Sequence, residues 1–159
     1  MGVVVFGLAG ALVGVPAGVS AVPARPRCRA TAFVTNADSG TVSTIDVKTR
    51  TKHPTDIAVG TNPVGVAVTP DGKTAFVANR TSGAVSTIDV KTKTKNPTDI
   101  TVGTYVNGVA VTPDGKTAFV TQLGGGTVST IDVKTGKKNP TDIPVGASPV
   151  GVAFTPCRR

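Results

Sequence analysis

One sequence unit of 43 residues occurs three times without insertion, and this repeat constrains the fold more than any other feature. The units begin at Thr31, Thr74 and Thr117, and the third ends at Arg159. The first two units are identical at 33 of 43 positions. A repeat of this length is typical of a supersecondary unit that packs against further copies of itself.

Strand-forming residues fill each unit. The chain has no Glu and one Met, so helix formers are scarce, whereas Val, Thr and Ile are abundant. In the second unit, four strands are predicted, at 74–78, 85–90, 99–102 and 108–111. Pro113-Asp114-Gly115 between apolar runs indicates a tight turn. Four strands in each unit predict an all-β fold of three β-propeller blades, as an open arc or part of a larger ring, with a β-solenoid as the alternative.

The units resemble the YVTN-family β-propeller repeats. Phe33–Asn36 and Phe76–Asn79 match the motif that names the family, and Val42–Asp46 and Gly65–Gly72 follow in the family's order. Phe replaces the family's Tyr in every unit, and Gln122 replaces Asn in the third. The resemblance implies a bacterial or archaeal surface or exported protein and a ring of about seven blades.

Three blades are fewer than the four to eight that usually close a propeller. The chain is therefore expected to be a fragment, a strained small ring, or an associating protein in which two copies form a six-blade homodimer. Cys28 and Cys157 lie three units apart, at the Asp position of the Pro-Asp-Gly turn. A disulfide that closes the ring, within one chain or between two, is one interpretation; unrelated thiols are the other.

The first 24 residues carry no charged side chain and precede a basic linker at 25–30. An export signal is predicted for 1–24, although a basic segment ahead of the apolar stretch is missing. An uncleaved membrane anchor and a misplaced start are the alternatives. A secreted or cell-surface location is thus expected, with residues 31–159 as the three-repeat module (31–73, 74–116 and 117–159).

The positions at which the units differ indicate where a single ligand site would lie. We name the strand before Pro-Asp-Gly strand a, and the strands after it b, c and d. The variable positions cluster in the b–c and d–a links, which an antiparallel meander places at one end of the blades. Neutral drift of exposed loops is the alternative. The candidate ligand-binding residues are Asn62, Arg80, Tyr105 and Asn107.

The net charge is +8, and many cations follow strand c. They predict either a solvated rim or contact with an anionic polymer, such as a cell-envelope glycan, lipid headgroups or nucleic acid. Sequence-specific binding to nucleic acid is not expected, because neither a groove-entering helix nor a set of stacking aromatic residues is visible. The residues of this candidate patch are Lys48, Arg50, Lys52, Lys91, Lys93, Lys95, Lys134, Lys137 and Lys138.

No catalytic constellation is visible in the sequence. Eight of nine Asp recur between units, which favours turn and strand-end roles, and His53 has no His or Cys partner at zinc spacing. No cofactor is expected. The sequence therefore predicts a non-catalytic binding or scaffold module whose partner is a protein or an anionic polymer. A lactonase-like propeller hydrolase and a remnant of a longer propeller without independent function are the alternatives.

Overall fold

The computed structural model describes residues 30–156, which form three antiparallel β-sheets and contain no helix. No segment in this range is a helix long and apolar enough to cross a membrane. The predicted export signal, Cys28 and Cys157 lie outside the described residues.

The first blade consists of β1 (Thr31–Asn36), β2 (Thr41–Asp46), β3 (Thr51–Lys52) and β4 (Ile57–Ala58). The second blade consists of β5 (Pro63–Val68), β6 (Thr74–Asn79), β7 (Ala84–Asp89), β8 (Thr94–Lys95) and β9 (Ile100–Thr101). The third blade consists of β10 (Val106–Val111), β11 (Thr117–Gln122), β12 (Thr127–Asp132), β13 (Lys137–Lys138) and β14 (Ile143–Pro144).

The strand order in the second and third sheets is that of a propeller blade, and the described part of the first sheet follows it without the inner strand. In the second blade β5 is strand a, and it pairs with β6, which pairs with β7. The third blade repeats this order, and the two inner strands, β5 and β10, lie next to each other. The prediction of all-β propeller blades is confirmed, and the three sheets form an arc that does not close.

Strand d differs from the prediction. Instead of one strand at 99–102, the outer edge of the second blade carries two short strands, β8 and β9. Both pair with β7, one at each end of that strand. Pro97 lies between them, and proline has no amide hydrogen to continue the ladder. The outer edge is therefore interrupted at this point.

The repeated aspartates stabilise turns. In the a–b turn, the Thr69 hydroxyl donates to Asp71 Oδ1 at 2.6 Å, and the Lys73 amide donates to the same atom at 3.1 Å. Gly72 follows with a φ of 71°, which an L side chain rarely adopts. Asp89 receives the Thr92 amide in the c–d turn at 2.7 Å. These bonds account for the recurrence of Asp at the turns.

The hydrophobic core lies between the sheets. Alternate side chains of β6 point to opposite faces: Ala75 and Val77 pack toward the first blade, and Phe76 and Ala78 toward the third. All four are at most 1% exposed. Each blade is therefore stabilised by its neighbours rather than by a core of its own.

Candidate functional site at the ends of the inner strands

The variable links meet at one end of the blades, which we call the loop face (37–40, 80–83 and 123–126 with 59–62, 102–105 and 145–148). The Val59 amide donates to Gly40 O at 2.9 Å, and the Val102 amide donates to Gly83 O at 3.0 Å. These bonds join the d–a link of each blade to its own b–c link. The repeat-to-repeat differences therefore lie on one surface.

Three of the four candidate ligand residues are in contact. Arg80 Nη2 donates to Asn107 Oδ1 at 3.3 Å, and the Arg80 amide donates to Asn62 O at 2.9 Å. Asn107 belongs to the inner strand β10 and is 7% exposed. Arg80 Nε is buried and has no hydrogen-bond partner among the described residues. The Arg80 guanidinium therefore has one buried N–H group without a partner among the described residues, and it lies near the start of the inner strands β5 and β10.

The Arg80–Asn107 hydrogen bond crosses the junction between strand b of the second blade and the inner strand of the third. At the other two such junctions, a threonine hydroxyl makes the bond to the following inner strand. Thr35 donates to Val64 O and Thr121 donates to Val150 O, each at 3.0 Å across the junction to the following inner strand. The second unit has Ala78 at that position and no hydroxyl to donate. The pair is the specific feature of the second junction.

The fourth candidate, Tyr105, is 59% exposed on the same face. Its φ is 52°, and the residues that correspond to it, Asn62 and Ser148, have φ values of 55° and 53°. Asn adopts this left-handed region readily, but a large aromatic residue rarely does. The turn into the inner strand therefore imposes this conformation, and Tyr105 lies at the surface beside Thr104 and Ser82.

Asp38 lies beside the cluster, and the sequence prediction did not include it. It lines one shallow depression together with Asn62 and Thr61, and it is exposed. Asp38 is also the single Asp without a counterpart in another unit. The lack of a counterpart in the other units is the sequence feature that could have identified Asp38 as a candidate site residue.

A chain of four polar side chains, joined by hydrogen bonds and an ion pair, runs through each blade, and we call it the polar relay. In the second blade, Asn79 donates to Ser86 Oγ at 2.8 Å, Ser86 donates to Asp99 at 2.7 Å, and Lys95 lies 2.8 Å from Asp99. Ser86 is 0% exposed, and its proton is committed to a carboxylate. The relay therefore joins strands b, c and d rather than forming an accessible nucleophile. Its counterparts are Asn36, Ser43, Asp56 and Lys52 in the first blade, and Gln122, Ser129, Asp142 and Lys138 in the third.

The relay also lowers carboxyl pKa values. The pKa of Asp56 lies below its ordinary value because Lys52 and then Ser43 hydrogen-bond to the charged form. Burial tends to raise the pKa of Asp142, but hydrogen bonds from Lys138 and Ser129, with Gln122, outweigh it and lower the value. Both aspartates are thus stabilised as anions.

The candidate cationic patch divides into two groups. Lys52, Lys95 and Lys138 are ion-paired with Asp56, Asp99 and Asp142, at 2.7 to 2.8 Å, and belong to the relay. The other cations lie in or beside the c–d turns, at the end opposite the loop face; they are Lys48, Arg50, Lys91, Lys93, Lys134 and Lys137. Binding of an anionic polymer by this group stays a prediction.

His53 is remote from the loop-face cluster. It lies on the outer edge of the first blade, and it lines a depression with Lys93 and Asp46. Residues 30–156 contain no group of three or more His, Cys, Asp or Glu that could hold a metal ion.

The blade architecture defines the chain as part of a β-propeller protein. Residues 29–153 match the family described as lactonase, 7-bladed β-propeller. The match covers most of the chain, and the chain therefore belongs to this lactonase family.

Solved propellers give the same architecture. A hydrazine synthase from Kuenenia stuttgartiensis aligns at a TM-score of 0.70 and 31% identity, over 75% of this chain and 34% of its own. A putative 6-phosphogluconolactonase from Bacteroides fragilis aligns at 0.67 and 22% identity, over 79% of this chain and 38% of its own. AztD from Citrobacter koseri aligns at 0.59 and 20% identity, over 71% and 31%. The chain thus spans between 31% and 38% of the length of these structures. A comparison with curated proteins gives no significant match.

Membership of the lactonase family corrects two expectations. The predictions of a non-catalytic binding or scaffold module and of a protein that is not an enzyme are wrong, and the hydrolase alternative is better supported. The non-catalytic prediction rested on the lack of a complete catalytic constellation within the three units. A propeller, however, assembles a site from residues of different blades, so the spacing within one unit carries little information about it. The β-propeller class of the resemblance is confirmed, and the YVTN assignment stays a prediction.

Proposed function

We propose that this chain contributes to a lactone hydrolase of the propeller type and that its substrate binds on the loop face, at the ends of the inner strands. The observation that carries the proposal is the match of residues 29–153 to the lactonase family. A fold shared with a putative 6-phosphogluconolactonase is consistent with it.

Lactone hydrolysis requires stabilisation of a developing oxyanion. Water adds to the acyl carbon, the ring C–O bond breaks, and the ring oxygen takes up a proton to leave a hydroxy acid. Arg80 is suited to bind the carbonyl oxygen, or an anionic substituent of the substrate, because the residue is only partly buried and its guanidinium donates a single hydrogen bond among the described residues, to Asn107. Asn107 orients the guanidinium through the bond to Nη2.

The attacking water must lose a proton, and the loop face offers a carboxylate that can accept it. Asp38 is exposed there, and it shares a depression with Asn62, whose carbonyl accepts from the Arg80 amide. We assign Asp38 the role of proton acceptor in the proposed reaction.

The test is hydrolysis of a panel of γ- and δ-aldonolactones, with and without a phosphate group, followed by titration of the released acid at constant pH. We expect Arg80→Ala to lower kcat/KM by about 100-fold or more, the usual cost of one oxyanion donor. Asp38→Asn should lower kcat mainly. Lys73→Ala is the matched control, because it removes one cation from an exposed a–b turn at the other end of the blade.

Circular dichroism would establish that each variant is folded. Hydrolysis no faster than the buffer rate for every lactone, by folded full-length protein, would overturn the proposal. Equal kcat/KM for Arg80→Ala and the parent protein would remove Arg80 from the site.

We also propose that the units are YVTN-type repeats of an exported protein. The matching segments in each unit and the uncharged stretch at 1–24 support this. Expression of the full chain in a bacterium, followed by cell fractionation and N-terminal sequencing, tests export. Recovery of the intact chain from the cytoplasm alone would contradict it.

A further inference from the structure

A groove runs along the junction between the first and second blades, which we call the first junction. It consists of two adjoining depressions that share His53 and Lys93. His53 belongs to the outer edge of the first blade, whereas Lys91 and Lys93 belong to the c–d turn of the second. Thr44 of β2 also lines the groove. Both of its sides belong to described blades, so the groove is a feature of an internal junction.

The second junction has a counterpart of this groove, and the counterpart differs from it at two positions. Asn96 lies at the position of His53, and Gly136 lies at the position of Lys93. The first junction therefore carries an imidazole and an ammonium group where the second carries an amide and no side chain.

The imidazole leaves a buried hydroxyl without a partner. In the second blade, Asn96 Nδ2 donates to Thr87 Oγ1 at 2.7 Å, and the third blade repeats this bond at 2.6 Å. The His53 amide keeps the backbone bond of the other units, to Thr44 O at 2.8 Å. Thr44 Oγ1, however, is buried and has no hydrogen-bond partner among the described residues. The first blade thus forgoes a stabilising bond and gains an imidazole at the groove.

The ammonium group of Lys93 has no ion-pair partner within residues 30–156. The residue is partly buried, and its φ is 57°, close to the 65° of Gly136. Glycine adopts this left-handed conformation without steric cost, but a lysine does not. The second blade therefore directs a lysine toward the first from a position that favours glycine.

Positive charge exceeds negative charge around the groove. Lys52 and Asp56 lie 2.7 Å apart, and their charges offset each other. Asp46 also lines the groove, but its Oδ1 accepts two amides of the c–d turn. Neither Lys91 nor Lys93 lies within ion-pair distance of a described carboxylate. The groove is therefore suited to an anion that accepts several hydrogen bonds.

We propose that this groove binds a phosphate group between the imidazole of His53 and the ammonium group of Lys93. The imidazole is exposed and offers an N–H donor, and the lysine offers a compact positive charge. The bound phosphate joins the first blade to the second and stabilises the junction by mass action. The groove is remote from the loop face, so this site is independent of the proposed hydrolase activity.

The test is titration of untagged full-length protein with inorganic phosphate and, separately, with glycerol 3-phosphate, at neutral pH and constant ionic strength. His53 is the single histidine of the chain, so its ring signals in a proton NMR spectrum report on the groove without resonance assignment. We expect these signals to shift saturably. Tighter binding of the ester identifies an esterified phosphate as the ligand, and tighter binding of inorganic phosphate identifies the free anion.

Two variants that copy the second junction test the residues of the site. His53→Asn supplies the amide that bonds to the threonine hydroxyl in the other blades, and Lys93→Gly removes the ammonium group. Both should be at least as stable as the parent protein without phosphate, by thermal unfolding. Each should raise the Kd for phosphate by about 10-fold or more, measured by calorimetry. Lys134→Ala, which removes a cation from the second junction, is the matched control and should leave the Kd unchanged.

Transfer of the two residues to the second junction is the complementary experiment. We expect Asn96→His combined with Gly136→Lys to bind a second equivalent of phosphate. No second equivalent in that variant, when folded, would show that these two residues do not define the site. The proposal would also be overturned if neither probe shifts the imidazole signals of the folded parent protein, or if the parent and both single variants have equal Kd values.

Discussion

The first and second blades have nearly the same sequence but different surroundings. Val77 is 0% exposed and Val34 is 43% exposed, although both occupy the same position in strand b. In the polar relay, the Lys95 side chain is 20% exposed and the Lys52 side chain is 48% exposed. Among residues 30–156, the second blade has a neighbour on each side, whereas the first has one on a single side. The same residue therefore contributes to stability according to its neighbours, since a blade has no core of its own.

The largest effect that would test this comparison is removal of the aromatic ring of strand b. Phe76 is 1% exposed, and we expect Phe76→Ala to lower the free energy of unfolding by about 3–5 kcal/mol. Phe33→Ala should cost less, because that ring is only partly buried. Urea unfolding followed by circular dichroism measures both. Equal losses for the two variants would show that the position of a blade in the arc does not decide how much this ring contributes to stability.

The polar relay offers a second comparison of the same kind. Ser86→Ala removes the hydrogen-bond partner of the buried Asn79 amide and leaves Asp99 with Lys95 alone, and we expect a loss of about 1–3 kcal/mol. Ser43→Ala should have a smaller effect, because water reaches Asn36 and Lys52 more easily than it reaches Asn79 and Lys95. Thermal unfolding of the two variants compares them. A larger loss for Ser43→Ala would contradict the dependence on surroundings.

A third prediction concerns a substitution in strand b that makes the junction between the second and third blades resemble the other two. Ala78→Thr supplies the hydroxyl that Thr35 and Thr121 direct to the next inner strand, and it should stabilise the protein by about 0.5–1.5 kcal/mol. Ala78→Val has the same shape without the hydroxyl and is the control. If the valine variant is as stable as the threonine variant, the gain comes from packing and the hydroxyl bond contributes nothing.

The smallest effects belong to single carboxylates, and they become visible together as a dependence on pH. Aspartates of the turns and the relay have a pKa below the ordinary value of 3.8, because amide, hydroxyl and lysine donors favour the charged form; they include Asp56, Asp71, Asp89, Asp114, Asp132 and Asp142. A lowered folded-state pKa means that the unfolded chain takes up protons first as the pH falls. The stabilisation is therefore complete above the ordinary value and is lost below it, as the pH falls through the folded-state pKa.

Melting temperatures between neutral pH and about pH 2 measure this dependence. We expect a plateau at neutral pH and a decline below about pH 4. Asp71→Asn, in an exposed a–b turn, should make the decline shallower, since one of the titrating groups is removed. A melting temperature that rises on acidification would refute the assignment of these aspartates as stabilised anions.

The strands and turns were accessible to prediction because they depend on short segments. Strands b and c were predicted to within one residue, since Gly83 and the Pro-Asp-Gly turn delimit them. Strand d was not, because its two halves pair with opposite ends of β7 and the sequence does not show which residues of an outer edge keep their bonds. The variable links correctly indicated one surface. They did not indicate that Arg80 meets Asn107, 27 residues away in the next unit.

By itself, the sequence determined the period, the strand order and the turns of this protein, because these follow from local backbone preference and from the alternation of apolar residues. The tertiary structure decided which copy of a repeated side chain is buried, and which residues of different units meet on the loop face. Both depend on how one sheet stacks on the next. Val34 and Val77 show the reason: the residue type is the same, and the presence or absence of an adjacent blade decides whether it is exposed to water.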